Sequence, residues 1–297
     1  MSWQQLVLYA PPTEEVEMIS SLLEACGSVA VTMQDAADEE IFEPLPGEAP
    51  LWKQTRVVGL FEQNINIENI IETLRVELLP KKLPRYELNT LADQDWERTW
   101  LESFKPMKFG TRLWIIPTAY DPVDAEAINL SLDPGLAFGT GTHPTTALCL
   151  QWLDGQNLSR QHVIDYGCGS GVLAIAAALL GAESVFALDI DRQALIATNN
   201  NAHANKVSKK INTGMPNELP NEPADIMIAN ILANPLIDLS ESIVRHVKPG
   251  GHIVLSGILE KQKNEVFEAY IPWINQGNIT IQDNWVMIDG IRNDKRP

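Results

Sequence analysis

A chain of 297 residues, 45% hydrophobic and 21% charged, is long enough for two domains, each with its own core. Its 22 Lys and Arg stand against 39 Asp and Glu, a net charge of −17. Binding along a phosphate backbone draws on Lys and Arg contacts, so no direct nucleic-acid binding is expected. The same acidity either attracts a basic partner or merely keeps the protein soluble. No apolar run approaches the ~20 residues of a membrane-spanning helix, and Met1 to Leu6 lacks the basic start of a signal peptide. Cys26, Cys149 and Cys168 are odd in number and far apart, which reads as thiols in a reducing compartment. The expected location is the cytoplasm, with no membrane partner.

Residues 1–92 carry a pattern of their own. Trp3 to Tyr9 reads as a strand, and Thr13 to about Cys26 as an amphipathic helix with Val16, Ile19, Leu22 and Leu23 at helical spacing and Gly27 as its stop. Ser28 to Gln34 is a second strand, and the polar stretch from Asp35 to Pro50 a long loop. A strand at Arg56 to Glu62, a helix at Ile67 to Leu79 and a strand at Arg85 to Leu91 complete a β-α-β-β-α-β order, the ferredoxin-like arrangement. Such a platform does not name a function by itself. Between Asp35 and Glu48 lie six acids and no Lys or Arg, either a solvated loop or a docking surface for a basic protein. Residues 93–112 are assigned to a linker helix, because Trp96, Trp100, Leu101 and Phe104 recur at helical spacing.

Residues 113–297 form the second domain. Two short strands, Leu113 to Pro117 and Ala127 to Leu132, lead into alternating elements. Strands are expected at Val163 to Tyr166, Ser184 to Ile190, near Ile211, at Ala224 to Ile231 and at Gly251 to Gly257. Helices are expected at Gly171 to Leu180, Arg192 to Asn205, Pro235 to Val247 and Glu260 to Tyr270. Apolar strands separated by helices imply a mostly parallel α/β sheet covered on both faces. The last two strands, Ile279 to Asp283 and Trp285 to Ile288, have little between them and suggest an antiparallel edge hairpin.

Four local signals carry chemistry. The first is Asp165-Tyr166-Gly167-Cys168-Gly169-Ser170-Gly171, at the end of the first strand of the alternating series. Glycines there let a ligand approach the backbone closely. A dinucleotide fingerprint needs a further glycine at position 172, where valine stands, so the spacing suits an adenosyl sulfonium ligand with no pyrophosphate. Asp165 is then placed to accept hydrogen bonds from the ligand's ammonium group; the rival reading is an ordinary glycine turn. The second is Asp189, at the next strand end, suited to both ribose hydroxyls, while Asp191 reads as a helix cap. The third is Phe138 to Thr146, in which Pro144 opens a helix and Thr142, His143 and Thr146 lie beside its free amides. A helix start of this kind suits the methionine end of a cofactor and also a plain capped turn. The fourth is Ala229-Asn230-Ile231-Leu232-Ala233-Asn234-Pro235, where Asn230 either accepts a hydrogen bond from a substrate amine or serves as a turn residue. The five histidines show no metal spacing, and no metal site is expected.

Taken together, these motifs behind a ferredoxin-like first domain closely resemble the bacterial methyltransferase family acting on ribosomal protein eleven of the large subunit. The likeness runs the whole chain, and Phe138 to Thr146 is its most specific piece. It implies a class I, Rossmann-like catalytic domain using S-adenosylmethionine, with an N-terminal substrate-recognition domain on a mobile linker. It also implies cofactor contacts at Thr146, Gly167, Asp189 and Asn230, to which the motif readings add Asp165, Gly169, Thr142 and His143. The implied partner is ribosomal protein eleven, methylated on lysine side chains and on its N-terminal α-amine, with Asn230 as the catalytic residue. Many amino-methyltransferases follow this asparagine with Pro, Pro and an aromatic, whereas here Ile231, Leu232 and Ala233 follow. The missing ring agrees with an aliphatic amine and counts against a flat base. The competing readings are a methyltransferase for RNA or a small amine, and a Rossmann-type binding module or oxidoreductase.

Overall fold

The computed structural model of the chain describes residues 2–10, 14–37, 54–91, 105–133 and 143–295. It divides into two units, Met1–Thr99 and Trp100–Pro297. In the first, β1 (Trp3–Ala10), α1 (Glu14–Ala25), β2 (Ala30–Asp35), β3 (Thr55–Glu62), α2 (Ile67–Glu77) and β4 (Arg85–Leu91) follow one another. The sheet order is β2-β3-β1-β4 with every neighbouring pair antiparallel, the split β-α-β arrangement of a ferredoxin-like domain. Period-two alternation puts Leu6, Leu8, Val57 and Phe61 on one sheet face. There they bury against Val16, Ile19 and Leu23 of α1 and Ile70 and Leu74 of α2. Asn66 starts α2 by accepting hydrogen bonds from the Glu68 and Asn69 amides. Most of the acidic stretch, from residue 38 onward, lies outside the described residues, as does 93–104 of the expected linker helix.

The remainder of that linker assignment is corrected. Residues 107–112 are strand and turn, not helix: β5 (Met107–Phe109) pairs antiparallel with β6 (Leu113–Ile116), which pairs parallel with β7 (Ile128–Ser131). Pro106 has no N–H to donate and bars a continuing helix. The turn is held by Asp154, whose carboxylate accepts from the Thr111 amide (2.6 Å), the Thr111 hydroxyl (3.1 Å) and the Arg112 amide (3.0 Å).

The main sheet takes its strands from β8 (His162–Tyr166), β9 (Ser184–Leu188), β10 (Ile211–Gly214), β11 (Ala224–Asn230), β12 (Val247–Leu259), β13 (Ile274–Gln282) and β14 (Trp285–Arg292). Around it pack α3 (Pro144–Asp154), α4 (Val172–Leu179), α5 (Arg192–Ala204), α6 (Ala233–Asp238), α7 (Ser240–Arg245) and α8 (Lys263–Tyr270). The order is β10-β9-β8-β11-β12-β14-β13; the first five are parallel, and β14 runs antiparallel to both its neighbours. Both faces are apolar. Val163, Ile226, Ile228 and Val254 face the cluster that includes α3 and α4, while Ile164, Met227 and Leu255 face the one that includes α6 to α8. The strand order reverses between β8 and β11, so the crevice at their carboxyl ends is where an open α/β sheet receives a ligand.

Two departures from the expected elements have a local physical cause. The helix expected over Pro235 to Val247 is two short helices that break at Leu239 (φ −94°, ψ 5°), each half burying its own apolar residues, Leu236 in one and Ile243 and Val244 in the other. The strand expected to stop at Gly257 runs on to Leu259, because Gly257 sits in a bulge between Leu255 and Ile258 and does not end the ladder.

Candidate active site

The carboxyl ends of β8, β9 and β11 hold most of the sequence-derived candidates. After Tyr166 the chain turns through Gly167, Gly169 and Gly171, all at positive φ (79°, 53° and 80°), before α4 begins. The Gly167 and Cys168 amides both donate to the Leu188 carbonyl of β9, which ties the loop to the neighbouring strand end. Thr198 of α5 donates toward the Cys168 thiol and the Gly169 carbonyl, and Asn201 to the Ser170 carbonyl.

Asp165 lies under this loop, 1% exposed. Its Oδ2 accepts the Ala174 amide at 3.0 Å; Oδ1 is buried and accepts nothing among the described residues. Burial first, and the nearby charge of Asp189 second, push its carboxyl up from 3.8 to about 7, against the Ala174 hydrogen bond. Asp189, half-buried at the end of β9, accepts the Gly169 amide on Oδ2 (3.0 Å) and the Asp191 amide on Oδ1 (2.9 Å). A carboxylate has about four acceptor positions, so each oxygen retains capacity for a ligand. Asp191 caps α5 through the Gln193 amide, as read from the sequence.

At the end of β11, the Asn230 amide nitrogen donates to the Thr146 hydroxyl at 3.2 Å. Thr146 is 0% exposed in the first turn of α3. The two were read as separate motifs 84 residues apart, and the fold brings them together. The bond fixes the asparagine's NH2 on Thr146 and leaves Oδ1 as an acceptor. His143 is the N-cap of α3, with its Nδ1 3.4 Å from the Thr145 amide and 2.7 Å from the Thr145 hydroxyl. Its ring meets Trp285 edge-on at 4.6 Å, and burial lowers its pKa, which favours the neutral cap. Thr142 lies outside the described residues.

Three contributors were not singled out in the sequence. Ser256 stands opposite Asn230 in the parallel ladder and bonds back to α3. Gly257 packs on the Ile231 backbone, and Trp285 packs on His143. Only Gly257 left a trace: a glycine interrupting an apolar strand signals a bulge or a close backbone approach.

A family model described as ribosomal protein L11 methyltransferase (PrmA) matches residues 2–293. The chain belongs to this family. Curated relatives named ribosomal protein L11 methyltransferase agree along their length. One from Methylococcus capsulatus is 48% identical over 98% of this chain and 99% of its own. One from Marinobacter nauticus is 47% identical over 99% of this chain and 100% of its own. Among solved structures, the ribosomal protein L11 methylase of Lactobacillus delbrueckii subsp. bulgaricus is 31% identical with a TM-score of 0.59, covering 64% of this chain and all of that one. The family expected from the glycine loop, Asn230 and the Pro144 helix start is thus the family found, as is the class I α/β fold.

Proposed function

We propose that this chain is an S-adenosylmethionine-dependent protein N-methyltransferase that modifies lysine side chains and the N-terminal α-amine of ribosomal protein L11. Its membership of the L11 methyltransferase family supplies the reaction and the substrate. The observation that carries the cofactor reading is Asp165, a fully buried carboxylate with one oxygen that has no partner among the described residues, beneath a glycine loop at the switch point of the sheet. An orphan acceptor of this kind is costly unless a cation or donor meets it. The ammonium group of S-adenosylmethionine is such a donor.

The residues present fit that cofactor. Gly167 and Gly169 would let it approach the backbone, Asp189 would take the ribose hydroxyls, and Thr146 would offer its hydroxyl proton to the carboxylate. His143, the N-cap of α3, would stand beside that carboxylate, and Thr142, its neighbour in sequence, is assigned to the same contact. When bound, S-adenosylmethionine supplies a methyl carbon already activated by the sulfonium, so the protein's task is alignment and exclusion of water. Asn230 Oδ1 accepts a hydrogen bond from the substrate amine and turns its lone pair toward the methyl. The amine so held would be aligned with that methyl carbon, and the proton it gives up would pass to water. A lysine with pKa near 10.4 must first be neutralised, at about 4 kcal/mol near pH 7.4, while an α-amine near 7.8 costs well under 1 kcal/mol.

The first unit is assigned the recognition of the protein substrate, with the acids between residues 35 and 48 facing a basic partner. No described helix is long and apolar enough to cross a membrane. Action on a ribosomal protein supports a cytoplasmic location. The test offers methyl-labelled cofactor with ribosomal protein L11, ribosomal RNA and a small polyamine together. Label on L11 alone, lost in Asn230→Ala, is expected. Label on RNA or polyamine would replace this reading with the corresponding alternative.

A further inference from the structure

Asn230 and Thr146 sit on different elements, β11 and α3, and their hydrogen bond requires those elements to hold a fixed spacing. A two-residue segment of β12 touches both. Ser256, 0% exposed, is the parallel-ladder partner of Asn230. Its hydroxyl lies 3.2 Å from the Thr145 carbonyl in the first turn of α3 and 3.3 Å from the Val286 carbonyl of β14. Gly257 follows at φ +85°, a left-handed conformation that disfavours a side chain. A Cβ there would fall 2.2 Å from the oxygen and 2.8 Å from the carbonyl carbon of Ile231, the residue after Asn230. On its other side Ile231 meets Gly167, where a Cβ would fall 2.3 Å from its Cγ2. Ile231 is therefore seated between two glycines, one in the cofactor loop and one in the β12 bulge.

We propose that Ser256 and Gly257 are positioning residues for methyl transfer. The Ser256 hydroxyl ties the start of α3 to β12, and the bare Gly257 backbone lets the end of β11 close onto the bulge. Together they hold Asn230 on Thr146 with its Oδ1 directed at the amine. This rests on the reading of Asn230 as the amine's acceptor. Both residues act through Asn230 and not on the reacting atoms. In-line displacement tolerates little error, since a misplacement of about 1 Å can cost 100-fold in rate. With Cβ contacts under 3.0 Å essentially never seen, a methyl group at Gly257 would drive the Ile231 carbonyl back by roughly that distance.

The test uses the full chain with Ser256→Ala, Ser256→Thr and Gly257→Ala, the two alanine changes each alone and with Asn230→Ala. The readouts are kcat for transfer to ribosomal protein L11 and the Kd for S-adenosylhomocysteine by calorimetry. Expected are kcat losses of about 10-fold for Ser256→Ala and about 100-fold for Gly257→Ala, with Kd changed by less than about threefold. Added to Asn230→Ala, neither is expected to lower kcat further, because the group they position is already gone. Ser256→Thr, which keeps the hydroxyl, is expected to recover most of the rate. Should Gly257→Ala fail to fold, the Ser256 pair decides alone. Losses that multiply with that of Asn230→Ala, or a Kd that weakens in step with kcat, would overturn the proposal while leaving Asn230 in its role. Full activity of Asn230→Ala itself would overturn the underlying reading and the proposal with it.

Discussion

Replacing Asp165 by asparagine keeps the shape of the side chain and removes its charge from a site 1% exposed. In the cofactor-free protein the carboxyl sits near 7 against an ordinary 3.8, because burial and then Asp189 disfavour the ionised form. The sign follows by linkage: between those values the folded state keeps a proton that the unfolded state has lost. Asp165 therefore makes the protein less stable as pH rises from about 4 through about 7. At 1.36 kcal/mol per pH unit, the rise from 3.8 to about 7 corresponds to about 4 kcal/mol once Asp165 is ionised. The neutral amide of the Asp165→Asn variant carries no such penalty and keeps an oxygen for the Ala174 N–H. Urea unfolding of the two proteins without cofactor is expected to show the variant gaining on the wild type, by more than about 2 kcal/mol between pH 5 and pH 8. The same change removes the charged partner of the cofactor's ammonium, and calorimetry should show S-adenosylmethionine bound about 10- to 100-fold more weakly at pH 8. A stability gap that does not vary with pH, or a variant less stable than wild type at pH 8, would refute this account of Asp165.

Gly167→Ala places a methyl group at φ +79° and 2.3 Å from Ile231 Cγ2, so a loss of about 1–3 kcal/mol is expected in thermal unfolding, with weaker cofactor binding. An unchanged melting temperature would show that Ile231 yields freely. Asp154→Ala leaves the Thr111 and Arg112 amides without their acceptor and is expected to cost about 3 kcal/mol. Burial pushes the Asp154 carboxyl up, but the Thr111 and Arg112 hydrogen bonds outweigh it and hold it below 3.8, so its contribution persists above that pH and fades as pH falls through the lowered value. Acid titrations of the two proteins that do not converge at low pH would contradict this. For a peptide whose only acceptor is a lysine, kcat/KM is expected to rise about tenfold per pH unit from 6 to 9, and a flat profile with chemistry limiting would refute the need for a neutral amine.

The large sheet was legible because its strands are continuous apolar runs and its turns carry glycine or an acid at the strand ends. Val163 to Tyr166 and Ala224 to Asn230 needed little more than that. Asp165, Asp189 and Asn230 could be placed because each ends such a run. What escaped was non-local. Met107–Phe109 is too short to show a period, and its strand character comes from pairing with Leu113–Ile115. Ser256 looks like any serine in a strand until the ladder sets it opposite Asn230. The Asn230–Thr146 contact joins two motifs through tertiary packing that neither encodes alone. Gly257 was read as the end of a strand because glycine is usually a stop signal, whereas here it serves a bulge.

The most direct test of the central claim is intact-mass spectrometry of ribosomal protein L11 after incubation with this enzyme and S-adenosylmethionine. Mass gains in steps of one methyl, absent with Asp189→Ala, are the expected result. No gain, from an enzyme shown to bind the cofactor, would contradict L11 as the substrate and leave the methyltransferase site in search of another amine.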